Sequence, residues 1–225
     1  MAPGPDLGSV REDVGLVKGS ENLVVGFDLD MTLVDPRSGV RATLLVLSSE
    51  TGVFIDADLI ITRLGPPLED EMARWFPPEL VEEASDRYRK LFEVHGLQGA
   101  RAMPGAEAAL KAVAAAGGRL IVVTARYDPH ARALLTATGL IVDQVVGWRF
   151  GPKKGEALLE HGAMVFVGDG PPDIQGARIA GAVAVGIPSG PHDGAELRAA
   201  GADVVLASLR DFPDWFEGWL RGRRV

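Results

Sequence analysis

Two aspartates follow a short apolar segment near the start of the chain. Residues 23–27 read LVVGF, which has the length and β-branched content of a buried parallel strand, and Asp28 and Asp30 come directly after it. Side chains two residues apart in a strand face the same side, so the carboxylates would repel each other by about 4 kcal/mol at an effective dielectric constant of about 20. A bound cation would remove this repulsion. Thr32 adds a hydroxyl at the next alternate position.

Two later apolar segments also end in polar side chains. Thr124 ends one of them, and its hydroxyl and the backbone N–H groups that follow, including that of Ala125, suit a phosphoryl oxygen. Asp169 ends the other, and helix capping does not explain it. Asp173 begins the next helix, so it is explained equally well as a capping residue or as part of a site.

Lys153 and Lys154 lie at the start of a further predicted helix. A lysine is unfavourably placed there with respect to the helix dipole, so nearby negative charge would compensate it. The adjacent pair leaves open which lysine belongs to a site.

The elements that must position these residues alternate between strands and helices from residue 104 onward. Strands are predicted at 120–123, 140–146, 164–167, 182–187 and 204–206, and helices at 107–116, 128–138, 153–160, 172–180 and 196–200. Repeated β-α units with short glycine-rich loops indicate an α/β fold, a Rossmann-like parallel sheet with helices on both faces. The ligand-binding crevice of such a sheet lies at the carboxyl ends of its strands.

A helical insert interrupts this alternation directly after the first strand. Its helices are predicted at 41–50, 56–62, 68–76 and 79–94, and Pro66-Pro67 and Pro77-Pro78 separate them. We therefore predict an N-terminal arm at 1–22, an α/β core at 23–36 and 103–225, and a small helical cap domain at 37–102.

Composition limits the possible partners. The 225 residues are 47% hydrophobic and carry a net charge of −8, which argues against a nucleic-acid partner. The absence of cysteine excludes disulfides and thiolate chemistry and fits a reducing cytoplasm. The sequence has no apolar run long enough for a membrane span and no hydrophobic signal core at its N-terminus, so we expect a soluble cytoplasmic protein, as a monomer or a homodimer.

Four segments together resemble the motifs of the haloacid dehalogenase-like (HAD) hydrolase superfamily. They are DLDMT at 28–32, VVTAR at 122–126, KKGEAL at 153–158 and VGDGPPD at 167–173, and they occur in the order typical of that superfamily. The resemblance spans about residues 23–206. The family's arrangement would place the first strand between the strands that end at Thr124 and Asp169, so that all four motifs converge.

The resemblance implies a role for each motif residue. Asp28 would be the nucleophile that forms an aspartyl-phosphate, and Asp30 the general acid and base. Thr124 and the backbone of Ala125 would bind phosphate together with Lys154, which matches the family lysine better than Lys153. Mg²⁺ would be bound by Asp28, Asp30 and Asp169, at the Asp30 position usually through the main-chain carbonyl, with Asp173 holding metal-bound water.

The insert resembles the mobile cap of phosphoglycolate phosphatase-like members. The segment LGPPL at 64–68 resembles the loop that such caps present to substrate, and basic or phenolic residues of the insert are candidates for a second anion site: Arg41, Arg63, Arg74, Arg87, Tyr88, Arg89 and Lys90. An acid at Asp30 disfavours the dehalogenase and phosphonatase branches. Met31 departs from the family, which most often has glycine there.

Three functions remain open at this point. The first is a Mg²⁺-dependent phosphatase for a small phosphorylated metabolite such as phosphoglycolate, a sugar phosphate or a nucleoside monophosphate. The second is a phosphomutase of the same superfamily. The third is a catalytically silent phosphate-binding or switch module.

Overall fold

The computed structural model describes residues 23–223, so the predicted arm at 1–22 lies outside the described residues. The strands are Val24–Phe27 (β1), Val34–Asp35 (β2), Arg101–Ala102 (β3), Arg119–Val123 (β4), Gln144–Val146 (β5), Val165–Gly168 (β6), Val183–Gly186 (β7) and Val204–Val205 (β8). The helices are Arg37–Thr51 (α1), Ala57–Ile61 (α2), Leu68–Met72 (α3), Val81–His95 (α4), Ala106–Ala115 (α5), Asp128–Thr138 (α6), Pro152–Glu160 (α7), Pro171–Ala180 (α8), Gly194–Ala199 (α9) and Phe212–Gly222 (α10). Between residues 23 and 223, no helix is both long and apolar enough to cross a membrane.

Six strands form one parallel sheet in the order β5-β4-β1-β6-β7-β8. The first strand is central, and Phe27 is opposite Val122 of β4 on one side and Val167 of β6 on the other. The predicted α/β class and the predicted neighbours of β1 are therefore confirmed. The carboxyl ends of these three strands lie side by side.

The two faces of the sheet pack against different helices because alternate residues of a strand face opposite sides. Val25 and Phe27 of β1 belong to a buried cluster that includes residues of α5, α6 and α10. Val24 lies on the other face, in a cluster with residues of α7 and α8. Both faces of the central strands are buried, which explains their continuous apolar sequences.

Helix α10 was not among the predicted elements. It packs an aromatic row against the sheet, and the ring centroid of Phe212 lies 5.4 Å from that of Phe27. Phe216 and Trp219 stack behind it. The sequence FPDWFEGWL has apolar residues at helical spacing, so this helix could have been predicted. Its apolar side adds one more helix to the buried face of the sheet.

Helices α1 to α4 lie between β2 and β3, where the helical insert was predicted. The two short strands pair antiparallel, with Val34 opposite Ala102, so the chain leaves and returns at adjacent points. A close contact between α1 and α4 organises the insert, since a Cβ atom on Gly39 would overlap the backbone of Gly96. The division of the chain into core and cap domains stays a prediction.

Several predicted boundaries differ from the structure; α1, for example, begins at Arg37 rather than at residue 41. The segment 140–146 is a strand only from Gln144, because Leu140 closes the end of α6 through its N–H bond to Leu135 and the Asp143 carboxylate accepts from the N–H of Leu120. Helix α3 ends at Met72 rather than at residue 76, with turns before the two prolines. At 140–143 and at the end of α3, local hydrogen bonds replace the regular hydrogen bonds of a strand or a helix.

The contact between α1 and α4 predicts a specific cost of added volume. Gly39→Ala should lower the free energy of unfolding by about 3 kcal/mol because its methyl group would meet backbone that cannot move independently. Gly218→Ala in α10 is the matched control, since a Cβ atom there meets no atom within 4 Å and should raise stability by about 0.5–1 kcal/mol. Urea denaturation followed by circular dichroism measures both, and equal effects would contradict the packing argument.

Candidate active site

Three polar side chains follow the central strands at one edge of the sheet. Asp28 follows β1, Thr124 follows β4 and Asp169 follows β6. Each is at most 6% exposed. The parallel order of the strands therefore brings together residues that are up to 141 positions apart in the sequence.

Lys154 links two of the acids. Its Nζ atom donates to Asp28 Oδ1 at 2.6 Å and to Asp173 Oδ1 at 2.5 Å, and its side chain is 5% exposed. Lys153 is exposed. The structure thus places Lys154, the preferred residue of the ambiguous pair, among the acids and leaves its neighbour at the surface.

Two glycines allow the helices that carry these side chains to approach closely. A Cβ atom on Gly155 of α7 would lie 2.5 Å from Ile179 Cβ of α8. One on Gly176 of α8 would lie 2.9 Å from Lys154 Cβ. Larger residues at either position would separate α7 from α8, and with them Lys154 from Asp173.

The hydrogen bonds of Asp173 and Asp169 fix their carboxylates. Asp173 Oδ2 accepts from the backbone N–H of Gly170 at 3.0 Å, so Asp173 both caps α8 and pairs with Lys154. The two interpretations left open for this residue are therefore compatible. Asp169 Oδ1 accepts from the Thr32 hydroxyl at 3.2 Å, a contact that was not foreseen.

Burial makes the charged forms of the acids in this cluster less favourable. Burial raises the pKa of Asp28 to about 7, although the charge of Lys154 opposes this. Burial, with the charges of Asp173 and Asp28, also raises the pKa of Asp169 well above its ordinary value. Burial alone would lower the pKa of Lys154, but the charges of Asp173 and Asp28 reverse this and raise it. Two acids thus share one ammonium group, and a third acid, Asp169, lies close to them.

This donor set fits a divalent metal ion. Carboxylate oxygens of Asp28, Asp169 and Asp173 all lie within 4.8 Å of one another, and hard oxygen ligands are those that Mg²⁺ prefers. A divalent ion would also offset the negative charge that Lys154 leaves unbalanced. The Asp30 carboxylate is not part of this group, so its predicted metal role would have to come from its main-chain carbonyl.

Asp30 instead pairs with a buried arginine. Arg126 Nε lies 3.0 and 2.9 Å from the two carboxylate oxygens of Asp30. The guanidinium group lies over the ring of Phe92, 4.9 Å from its centroid, and its charge opposes the burial that raises the pKa of Tyr88 to about 12. Both aromatic residues belong to α4, so Asp30 is connected to the helical insert. Arg126 is the last residue of the second motif, VVTAR, but the sequence alone indicated no role for it.

Thr124 and Ala125, which are predicted to bind phosphate, follow β4 and lie beside the acid cluster. The Thr124 hydroxyl accepts from the backbone N–H of Arg126 at 3.2 Å, which fixes the start of the loop. Thr124 and Ala125 line a cavity of about 110 Å³ together with Asp28, Lys154 and Asp169. We call it the core cavity.

A second cavity lies under the insert and adjoins the first. It is lined by residues of the insert and of the loops after β4 and β5, and we call it the insert cavity. Asp30, Gly65, Pro66 and Ala125 line both cavities. The segment 64–68, predicted to face substrate, therefore lies where the two cavities join.

Met31 has a left-handed backbone conformation, with φ of 61°. Glycine adopts this conformation at no steric cost, which accounts for its frequent use at this position in the resembling family. Here the Met31 carbonyl accepts from the Ser189 hydroxyl at 2.6 Å, and the Met31 side chain is buried. The adjacent Gly190 touches Asp169, since a Cβ atom there would overlap the carboxylate. Sequence reasoning assigned no role to the 189–190 loop.

The sequence profile of the haloacid dehalogenase-like hydrolases matches residues 25–178, which is more than half of the chain. The chain belongs to this family. The predicted family membership and the predicted enzyme class are thereby confirmed.

Two relatives that are more than 30% identical to this HAD-like chain are named phosphatases. The probable phosphatase IndB of Dickeya dadantii is 32% identical over 208 residues, which cover 84% of this chain and 90% of that protein. The phosphoglycolate phosphatase of Rhodospirillum rubrum is 31% identical over 214 residues, covering 84% and 88%. A solved HAD-like hydrolase, SP0104 of Streptococcus pneumoniae, shares the fold with a TM-score of 0.74 at 24% identity, covering 86% of this chain and 98% of that one.

The acid cluster predicts metal binding that can be measured without substrate. Mg²⁺ should raise the melting temperature of the native HAD-like chain, and Asp169→Asn should weaken Mg²⁺ binding at least about tenfold in isothermal titration calorimetry. Asp214→Asn, at an exposed acid of α10, is the control and should bind as the native protein does. Equal affinity in both variants would place the ion elsewhere.

The pair of Asp30 and Arg126 predicts a large energetic coupling. A double-mutant cycle of Asp30→Asn and Arg126→Met should give a coupling free energy of unfolding of about 2–4 kcal/mol, because each single variant leaves a buried partner uncompensated. The exposed pair of Glu50 and Arg87, with atoms at 2.6 Å and 2.5 Å, is the control and should couple far more weakly. Similar coupling in both pairs would show that burial does not strengthen the Asp30 contact.

Proposed function

We propose that this HAD-like enzyme is a Mg²⁺-dependent phosphatase that hydrolyses a small phosphate monoester through a phosphoryl group on Asp28. The observation that carries the proposal is the position of Asp28 at the floor of the core cavity, held by Lys154 and flanked by Asp169. The names of the relatives, phosphatase IndB and phosphoglycolate phosphatase, support the same reaction class.

In the first step, a carboxylate oxygen of Asp28 attacks phosphorus and the bond between phosphorus and the ester oxygen breaks. Protonated Asp30 gives its proton to the departing oxygen, so the alcohol leaves neutral. In the second step, Asp30 takes a proton from water, the water oxygen attacks phosphorus, and inorganic phosphate leaves Asp28. Asp30 ends protonated, ready for the next cycle.

The remaining residues orient the phosphoryl group and neutralise its negative charge. Lys154 reduces the repulsion between the Asp28 carboxylate and the incoming phosphate, and Thr124 with the backbone of Ala125 positions the phosphoryl oxygens. Asp28 and Asp169, with the main-chain carbonyl of Asp30, would hold Mg²⁺, and Asp173 would hold metal-bound water. When bound, the ion supplies positive charge that stabilises the transferring phosphoryl group.

Arg126 acts in this scheme as a positioning residue. Its hydrogen bonds keep the Asp30 carboxylate at the junction of the two cavities, which is where the ester oxygen of a substrate bound across both would lie. Because Arg126 also packs on Phe92, movement of the insert and orientation of the acid are connected.

The test is phosphate release from a panel of small phosphate esters with Mg²⁺ and with EDTA. We expect release from the native enzyme with Mg²⁺ alone, and a loss of at least about 10³-fold in Asp28→Asn, which lacks the nucleophile. Asp214→Asn should retain full activity. Transfer of phosphate between positions of a sugar without release would favour a phosphomutase, and no turnover of any ester would favour a silent binding module.

A further inference from the structure

The insert cavity is large enough for more than a two-carbon group. Its volume is about 90 Å³ on the measure that gives about 110 Å³ for the core cavity, and one water molecule needs only about 10–15 Å³ on that measure, so several non-hydrogen groups fit. It adjoins the core cavity at Asp30 and Ala125. If the proposed function holds, the alcohol part of a phosphate ester bound at Asp28 lies in the insert cavity.

Each cation of the insert cavity already has an acidic partner. Arg63 lies 2.7 Å from Glu71 Oε1, and Arg126 pairs with Asp30. Three arginines and three acids line the cavity: Arg63, Arg89, Arg126, Asp30, Glu69 and Glu71. Glu71 and Glu69 cancel the charges of Arg63 and Arg89, and Asp30 cancels that of Arg126 while Asp30 is ionised, so a carboxylate that entered this state of the enzyme would have to break an existing ion pair.

The charge of Arg89 is balanced in the same way, although within residues 23–223 its Nε atom, like that of Arg63, has no hydrogen-bond partner. It pairs with Glu69 and, at 2.7 Å, with Asp86. Its guanidinium carbon lies 5.8 Å and 5.5 Å from the ring centroids of Tyr127 and Trp148. This cation is thus committed to two acids and two aromatic faces.

The wall of the cavity is apolar and aromatic. The rings of Tyr127 and Trp148 lie 5.4 Å apart, tilted by 32°. Trp148 is 56% exposed and has a left-handed backbone, with φ of 56°, which is costly for a bulky residue and is found mainly at functional sites. The backbone N–H of Trp148 donates to the carbonyl of Arg126, which fixes the backbone of this loop.

His130 adds an unsatisfied neutral polar group to this cavity. The residue is 4% exposed, and within residues 23–223 its Nε2 atom has no hydrogen-bond partner. Burial and the charges of Arg126 and Arg89 lower the pKa of His130 to about 4, so the ring is neutral at pH 7. A neutral imidazole suits an uncharged hydrogen-bonding group in a ligand.

From the cancelled charges and the aromatic wall, we infer that the insert cavity selects an uncharged leaving group that carries an aromatic or heteroaromatic ring, as a nucleoside does. The carboxylated two-carbon group of phosphoglycolate is disfavoured, because a buried carboxylate without its own cation is costly. The substrate class of this enzyme thus differs from that named for the phosphoglycolate phosphatase relatives.

The first arm of the test compares kcat/KM for uridine and adenosine 5′-monophosphates, glycerol 3-phosphate and phosphoglycolate. We expect the nucleotides to exceed glycerol 3-phosphate by about tenfold and phosphoglycolate by about 10²-fold. Equal or higher kcat/KM for phosphoglycolate would overturn the inference.

Variants test the wall and the charge balance separately. Trp148→Ala should lower kcat/KM for the nucleotides about tenfold and leave glycerol 3-phosphate unchanged, and Trp148→Phe should restore most of the loss. Phe54→Ala, at an exposed aromatic residue of the insert outside the cavity lining, is the matched control.

Glu71→Gln tests the charge balance, because it leaves Arg63 without its acid. We expect this variant to raise activity on phosphoglycolate, relative to the nucleotides, about tenfold. Unchanged selectivity in both Trp148→Ala and Glu71→Gln would overturn the inference.

A binding arm separates this inference from the proposed function. Calorimetry on Asp28→Asn, which keeps the insert cavity, measures affinity for the same esters without turnover. Tighter binding of the nucleotides would support the inference even if no ester were hydrolysed, in which case only the proposed function fails. Equal binding of phosphoglycolate and the nucleotides would overturn the inference even in an active phosphatase.

Discussion

The sharing of one buried ammonium group by two carboxylates, with a third close by, is the constraint on which the rest of this structure depends. Lys154 contacts Asp28 and Asp173, and Asp169 lies within reach of the same acids. Unpaired charges in such a site would be costly, so helices α7 and α8 must pack closely enough for Lys154 to serve two partners. Gly155 and Gly176 permit that approach. The surplus of negative charge is what makes a divalent cation a suitable partner.

A second charged pair connects this cluster to the helical insert. The contact between Asp30 and Arg126 continues through Phe92 into α4, whereas Asp28 and Asp173 are joined through Lys154 of α7. The acid that is proposed to move protons is therefore the one attached to the part of the molecule that covers the leaving group. In the proposed function, proton transfer by Asp30 and selection of the leaving group would both depend on the helical insert.

The fold was predictable where short-range pattern and burial agree. The apolar strands, their parallel order and the central place of β1 followed from the β-α alternation and the four motifs, because both faces of the sheet are buried. Helix α10 was missed, although its apolar spacing was readable. The segment 140–143 was predicted as part of a strand because it is apolar. In the structure it precedes the strand, and Leu140 instead donates to Leu135 at the end of α6.

The sequence by itself determined the chemistry that the HAD-like core can offer: the acids at the strand ends, the lysine and the threonine. Residue type and spacing decide those, and strand order brings them together. Only the tertiary structure decided which partner each charge has. Lys154 rather than Lys153 faces the acids, Asp30 pairs with Arg126, and the arginines of the insert are neutralised by their own acids. Lys154 and Asp28 are 126 positions apart in the chain and Arg126 and Asp30 are 96 apart, so no local pattern encodes these two pairings.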